Sequence, residues 1–253
     1  MEIPQRVWQR FLELLRKVND RAAKDLLNYV ETHPDWNTEA GLRKTVDVAF
    51  ALATEYGEMS ASIACEMYDA LAEASGVSLP PAVPAETAEY GEVAKAVRGT
   101  AKTGNPEIVS ESVSRLVKRS GVDTTMQNAI RDGAEWAWIP SGDTCAFCIT
   151  LSSRGWQKAS KKAMKGGHAE HVHANCDCTY AVRFDSRTNV AGYDPDAYLA
   201  LYEHAAGRTP EEKINSMRRA FYAENADEIN AQKRSAYARR RERENSAAEE
   251  ANV

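Results

Sequence analysis

The chain has 253 residues, 43% hydrophobic and 27% charged, with 32 basic against 37 acidic side chains and a formal net charge of −5. That composition excludes collagen-like and wholly disordered chains, gives no overall electrostatic pull on nucleic acid, and leaves length enough for a core without staples. The apolar runs are short and broken by charge, so no membrane span is expected, and Met1 to Arg6 lacks the apolar centre of a signal peptide, which sets a cytosolic expectation.

Residues 1–75 read as a long helical hairpin. Val7, Phe11, Leu14, Val18, Ala22, Leu26 and Val30 recur at helical spacing, and His33-Pro34 should end that helix because the residue before proline avoids the α region. Asn37 or Thr38 can cap the next helix, whose apolar positions include Leu42, Val46, Phe50, Tyr56, Met59, Ile63, Met67 and Leu71, and Gly76 closes it. Residues 76–135 then read as a linker and shorter helices. The Pro-rich stretch 76–84 predicts an extended connector, followed by a helix over about 85–98 with Tyr90, Val93 and Val97 inward. A second helix starts at Asn105-Pro106 and stops before Gly121, and a third covers roughly 123–135 with Met126 and Ile130 inward.

The texture changes at Trp136. Alternation at Trp136 and Trp138, and again at Tyr180, Val182 and Phe184, predicts short strands around a cluster of cysteine and histidine. Residues 136–184 are therefore expected to form a small α+β module. The tail, 185–253, returns to helix, with cap-proline starts at Asp194-Pro195 and Thr209-Pro210 and apolar faces at Tyr198, Leu199, Leu201 and Tyr202, then Ile214, Met217 and Phe221. Its last residues are polar all round and are expected to fray. The fold class predicted is mainly α: a helical N-terminal domain, a small zinc-stabilised α+β module and a helical C-terminal tail.

Four of the five cysteines fall in one 34-residue window, Cys145-x-x-Cys148, then 24 residues, then His173-x-x-Cys176-x-Cys178. A C-x-x-C turn presents two sulfurs to one point, and His173 and Cys176 repeat the same spacing, so four soft or borderline donors suit tetrahedral Zn2+. Three thiolates and one neutral imidazole leave such a site at −1, and Lys158, Lys161, Lys162 and Lys165 lie in the intervening loop to offset that field. Coordination contributes about 10–16 kcal/mol of apparent binding energy, enough to fold a module with little core of its own. Cys178 either replaces Cys176 or stands behind it, and His168 or His171 could substitute for His173.

Competing chemistries have weaker support. Two disulfides are disfavoured in a cytosolic chain, and a redox C-x-x-C prefers a thioredoxin-like context. His168-Ala-Glu170 imitates the H-x-E of zinc deaminases, but here C-x-x-C precedes it, and a site closed by three thiolates and a histidine leaves no open position for water. No HExxH and no G-x-S-x-G is present, and Ser152-Ser153 reads as a helix end. His33 and His204 read as helix-end residues, Cys65 as a core thiol, Trp136 and Trp138 as packing for the module. The arginine run Arg239–Arg243, interrupted and followed by glutamates, reads as a solvated helix with a possible weak contact to DNA phosphates.

Trp138-Ile-Pro-Ser-Gly-Asp143-Thr-Cys145-Ala-Phe-Cys148, then Gly155, then His173-Ala-Asn-Cys176-Asp-Cys178 resembles the D-x-C-x-x-C … G … H-x-x-C-x-C pattern of the Mu F-like minor head proteins of tailed phages. Val190-Ala-Gly-Tyr193-Asp-Pro195 is similar to segments that follow this motif. The resemblance covers about 135–200, and Asp177 departs from the arginine often found between the last two cysteines. It implies a minor capsid component acting in head morphogenesis, partnered by portal or major capsid protein and residing in the virion, inside the capsid or at the portal, after assembly in the host cytoplasm. No catalytic residues carry over, so the expectation is a structural protein rather than an enzyme. The alternatives are a capsid maturation protease, a zinc-dependent nuclease or a nucleic-acid-binding module.

Overall fold

The computed structural model describes residues 2–3, 5–140, 145–161, 179–227 and short stretches between 230 and 241, with backbone alone at 2–3, 5–8 and 179. The fold is mainly helical. Helices α1 (Gln5–Thr32) and α2 (Glu39–Ala74) fold back on each other as the apolar stripes predict. α1 stops just before His33-Pro34, where the His33 ring stacks on Tyr29 at 4.1 Å and its Nδ1 lies 2.7 Å from the Tyr29 carbonyl. Thr38 caps α2, its Oγ1 accepting from the Gly41 amide at 3.2 Å. Gly76, at φ +66°, ends it: the amides of Gly76 and Val77 donate back to the carbonyls of Glu73 and Ala72, the paired closure in which a left-handed glycine satisfies the last carbonyls. No described helix is long and apolar enough to cross a membrane.

Beyond Gly76 the expected boundaries need correction. Helix α3 spans Tyr90–Ala101 rather than starting near 85, because the connector before it stays extended and is strapped to α4 by side chains. Asn128 grips Val83 at both polar groups, accepting from its amide at 2.9 Å and donating to its carbonyl at 2.8 Å. Thr124 accepts from the Ala85 amide at 3.0 Å, and Arg131 donates to the carbonyls of Pro80 and Pro81. Tyr90 does not point inward: it is 45% exposed and donates its hydroxyl to Asp47.

The two helices expected on either side of Gly121 are one, α4 (Pro106–Arg131). Glycine here serves close approach. A Cβ at Gly121 would stand 2.7 Å from Ser60 Oγ, so α2 and α4 cross almost backbone to backbone. α4 is buried on nearly every side, against α1, α2 and α3, which is why it shows no single apolar stripe. Its buried hydroxyls are satisfied within the helix, as at Ser112 to the Val109 carbonyl and Thr124 to that of Ser120, both at 2.7 Å.

After α4 come β2 (Glu135–Ile139), α5 (Ala146–Ser152), β3 (Gln157–Lys158), β4 (Thr179–Arg183) and β5 (Asn189–Val190), then α6 (Pro195–His204) and α7 (Pro210–Glu224). β2 is central, antiparallel to both β3 and β4, while β5 pairs in parallel with β1 (Glu2–Ile3). One hydrophobic cluster joins Phe11, Met67, Tyr68, Leu71, Val122 and Met126 of the helices to Trp136, Trp138, Cys148, Leu151, Tyr180 and Val182. A second cluster fills the other end of the four-helix layer around Leu26, Val46, Val97 and Val113. The segment 136–184, expected to have little core of its own, thus shares the core of the helices. α6 and α7 start at the predicted caps Asp194 and Thr209, but the apolar faces expected there are only half-buried, at Tyr198, Tyr202, Ile214 and Met217, and Leu201 and Phe221 are 54% and 43% exposed.

Candidate metal centre

The β2–β4 ladder sets the frame. Its register pairs Trp136 with Val182, Trp138 with Tyr180 and Ile139 with Thr179. Trp138 and Tyr180 stack at 6.1 Å, and the Tyr180 hydroxyl donates to the Gly121 carbonyl at 2.8 Å, fixing the strands onto α4 at the α2 crossing. Burial holds the Tyr180 hydroxyl well above the usual phenol range. Trp136 and Trp138 are buried, in keeping with a packing role.

The same register brings together the chain ends that carry the two predicted half-sites. Ile139 lies six residues before Cys145, and its ladder partner Thr179 directly follows Cys178. Both cysteine-bearing segments therefore leave from one end of the ladder.

The first half-site is built by α5. Cys145 is the N-cap residue, in extended conformation at φ −69° and ψ 156°, and Cys148 is the third residue of the helix. These are the N-cap and N3 positions, which lie within one turn of each other at the helix start. Cys148 is fully buried and Cys145 half-buried. The helix is pinned from below: Ser152 Oγ donates to the Cys148 carbonyl at 2.7 Å, and the Tyr193 hydroxyl donates to the Ser152 carbonyl at 2.8 Å. Tyr193 meets Trp156 edge-on at 5.8 Å, and the Arg183 guanidinium lies over Trp156 at 4.6 Å while its Nε donates to Glu135 at 2.6 Å. Gly155, at φ +63°, makes the reversal between α5 and β3.

The remaining predicted ligands, His173, Cys176 and Cys178, lie outside the described residues, as do Asp143, His168, Glu170, His171, Lys162 and Lys165. Among the described residues no three His, Cys, Asp or Glu side chains are grouped as a metal site. The donor set fits zinc in kind, since two thiols at one helix start are soft ligands of the type that a tetrahedral site uses. Lys158 and Lys161 are exposed on the connecting segment.

Other predicted residues fall into place away from this site. Cys65 is half-buried on α2, and burial pushes its thiol up, away from the reactive thiolate. His204, the last residue of α6, has its Nδ1 2.6 Å from the Ala200 carbonyl. One polar cluster escaped the sequence reading. Arg119 clamps Glu92 of α3 with two bonds, one of them 2.5 Å, and its Nε lies 3.5 Å from Asp123. The guanidinium holds Glu92 below the usual carboxylate range, whereas burial pushes Asp123 up to about 6. The i, i+4 spacing of Arg119 and Asp123 was the visible signal; the long-range partner Glu92 was not.

Comparison with known families decides the lineage. The model of the VG15 proteins matches residues 2–205, which is every element from β1 through α6. The chain belongs to the VG15 family. VG15 denotes a phage or viral gene product, so the match points to a phage protein. No curated protein and no solved structure matches the chain. The VG15 match includes both predicted half-sites and the ladder beside them, and stops one residue after α6.

Proposed function

We propose that this VG15 protein is a structural minor capsid protein of a tailed phage or prophage, acting in head morphogenesis with a structural Zn2+ held by Cys145, Cys148, His173 and Cys176 or Cys178. The observation that carries this reading is the placement of Cys145 and Cys148 at the start of α5, beside a ladder in which Ile139, six residues before Cys145, pairs with Thr179, the residue after Cys178. The phage family match sets the biological frame, and the Mu F-like motif supplies the head-assembly reading. In this role zinc clamps the loop between the half-sites against the shared core, and the helices offer surfaces to portal or major capsid subunits. The protein is proposed to act without catalysis.

Elemental mass spectrometry of the purified chain, with a parallel thiol titration, tests the metal site. One zinc per chain, with cysteines that react only after a strong chelator is added, is the expected result. Absence of metal together with disulfide-bonded cysteines would overturn it. Co-purification with portal or major capsid protein from an assembling head tests the biological role. Cleavage of scaffold or capsid protein, or of DNA with magnesium, would replace the structural reading with the protease or nuclease alternative.

A further inference from the structure

The outer face of α2 is acidic from Asp47 to Glu73. Asp47, Glu55, Glu58, Glu66, Asp69 and Glu73 are all exposed, and with Ala51 and Ser62 between them they follow in steps of three and four residues, which makes one continuous stripe. At a rise of 1.5 Å per residue the stripe is about 39 Å long. Residues 45–94 contain no lysine, arginine or histidine at all. Asp47 and Asp69 each accept one hydrogen bond, from Tyr90 and the Ala82 amide, but among the described residues Glu55, Glu58, Glu66 and Glu73 form no ion pair. Like charges three and four residues apart repel, so this face gains from an opposing cationic surface.

The C-terminal arm has the complementary character. α6 and α7 bury no residue, and Phe221, Tyr222 and Tyr237 are 43%, 43% and 63% exposed. The described residues between 226 and 241 are all helical. The Tyr222 hydroxyl donates to Asn230 Oδ1 at 3.0 Å, which puts the two on one side, and Arg234, Tyr237 and Arg241 follow Asn230 in steps of four, three and four. Over residues 233–243 the sequence carries six cations against the single acid Glu242. Arg234, Tyr237 and Arg241, stepped like the acidic stripe, are thus exposed to solvent. Within its own chain α7 packs on α5 and α6. The family match ends at 205, so the arm lies beyond the matched residues.

We propose that the arginine–tyrosine face of the arm of one copy docks along the acidic face of α2 on a second copy, head to tail. The contact joins two different patches, so it propagates into a ring or a chain rather than stopping at a two-fold dimer. It uses no part of the metal centre.

Sedimentation velocity of the full chain over a range of concentrations tests this, with two charge-reversed variants: R234E/R241E in the arm and E58K/E66K on α2. All four positions are exposed, so both variants should keep the wild-type circular dichroism. Wild type is expected to self-associate, and to lose association in about 1 M salt, where screening acts beyond about 3 Å. Each variant alone should associate at least about tenfold more weakly, because like charges then face each other. A mixture of the two variants should recover assembly, since each reversed patch meets a reversed partner. A wild type that is monomeric throughout overturns the proposal, as does assembly indifferent to the reversals or a mixture that fails to recover. Salt-sensitive binding of duplex DNA that needs Arg234 and Arg241, with no self-association, would overturn it and assign the arm to nucleic acid instead.

Discussion

The α2–α4 crossing at Gly121 makes a prediction whose sign depends on two opposed terms. In an exposed helix interior, glycine to alanine stabilises by about 1 kcal/mol. Here the new Cβ would lie 2.7 Å from Ser60 Oγ and 3.3 Å from the Ser60 backbone oxygen, with Leu15 at 3.5 Å. Only the hydroxyl contact is prohibitive, yet Ser60 is fully buried and its Oγ has no hydrogen-bond partner among the described residues, so it has nowhere better to turn. Overpacking of this kind costs about 1–3 kcal/mol. Gly121→Ala is therefore expected to destabilise by about 1 kcal/mol net, a fall in Tm of about 2–4 °C for a chain of this size. Ser60→Ala removes the clashing atom together with a buried hydroxyl whose desolvation nothing offsets, so alone it should be neutral or slightly stabilising. The double variant Ser60→Ala/Gly121→Ala should then exceed wild type by about the helix-propensity gain of 1 kcal/mol. Urea and thermal unfolding followed by circular dichroism close the cycle, with an expected coupling of at least about 1 kcal/mol between the two sites. A Gly121→Ala protein more stable than wild type, or a double variant no better than Gly121→Ala, would refute the backbone-to-backbone crossing.

Two further perturbations probe the polar groups on α4. Asn128→Ala removes three bonds, two to Val83 and one to the Thr124 carbonyl, and leaves the Val83 amide without its acceptor; a loss of about 2–4 kcal/mol in urea unfolding is expected, with early proteolysis of the 77–89 connector. Asp123 has a folded pKa raised by burial to about 6, above its unfolded value, so the folded state binds more protons and this residue's contribution falls as pH rises from about 4 to 6. Asp123→Asn should therefore match wild type near pH 4 and be the more stable protein near pH 8, as read from paired unfolding curves; parallel pH profiles for the two proteins would contradict this.

The parts of the fold legible in the sequence were those where local chemistry and final environment agree. Thr38, Asn105, Asp194 and Thr209 cap helices because their side chains reach the first amides, a signal contained within four residues. Gly76 ends α2 for an equally local reason, its left-handed backbone. Gly121 carries the same letter for a different cause, the approach of a helix distant in sequence, and so reads as a stop where there is none. α4 is surrounded, so it alternates small, hydroxylic and apolar residues without a stripe, and its continuity depends on partners in α1, α2 and α3. The late start of α3 has a similar origin in Asn128 and Thr124, some forty residues downstream of the connector they hold. At the candidate site the C-x-x-C was visible as spacing, and the structure adds its location, N-cap and third helical position of α5. What spacing could not supply was the company of Cys148: it is buried in a cluster shared with Met67, Tyr68 and Met126.

That shared burial separates two explanations for the two cysteines. If Cys145 and Cys148 matter only through packing, they are unequal: Cys148 is fully buried and its replacement by alanine costs about 1 kcal/mol, while half-buried Cys145 costs little. If both bind one zinc, they become equivalent, because each is one of four ligands to a metal whose apparent binding energy is about 10–16 kcal/mol, or about 3–4 kcal/mol per ligand when shared evenly. Cys145→Ala should then cost nearly as much as Cys148→Ala, both far above the packing term, and a strong chelator should lower the Tm of wild type while leaving either variant unchanged. Cys65→Ala, off the site, should keep the full chelator response. Cys145 makes the distinction, since it packs only partly buried at the edge of the cluster that encloses Cys148 and has less packing to lose. A silent Cys145→Ala beside a mildly destabilised Cys148→Ala, with no response to chelator in wild type, would leave the C-x-x-C as core packing and remove the metal from the proposed function.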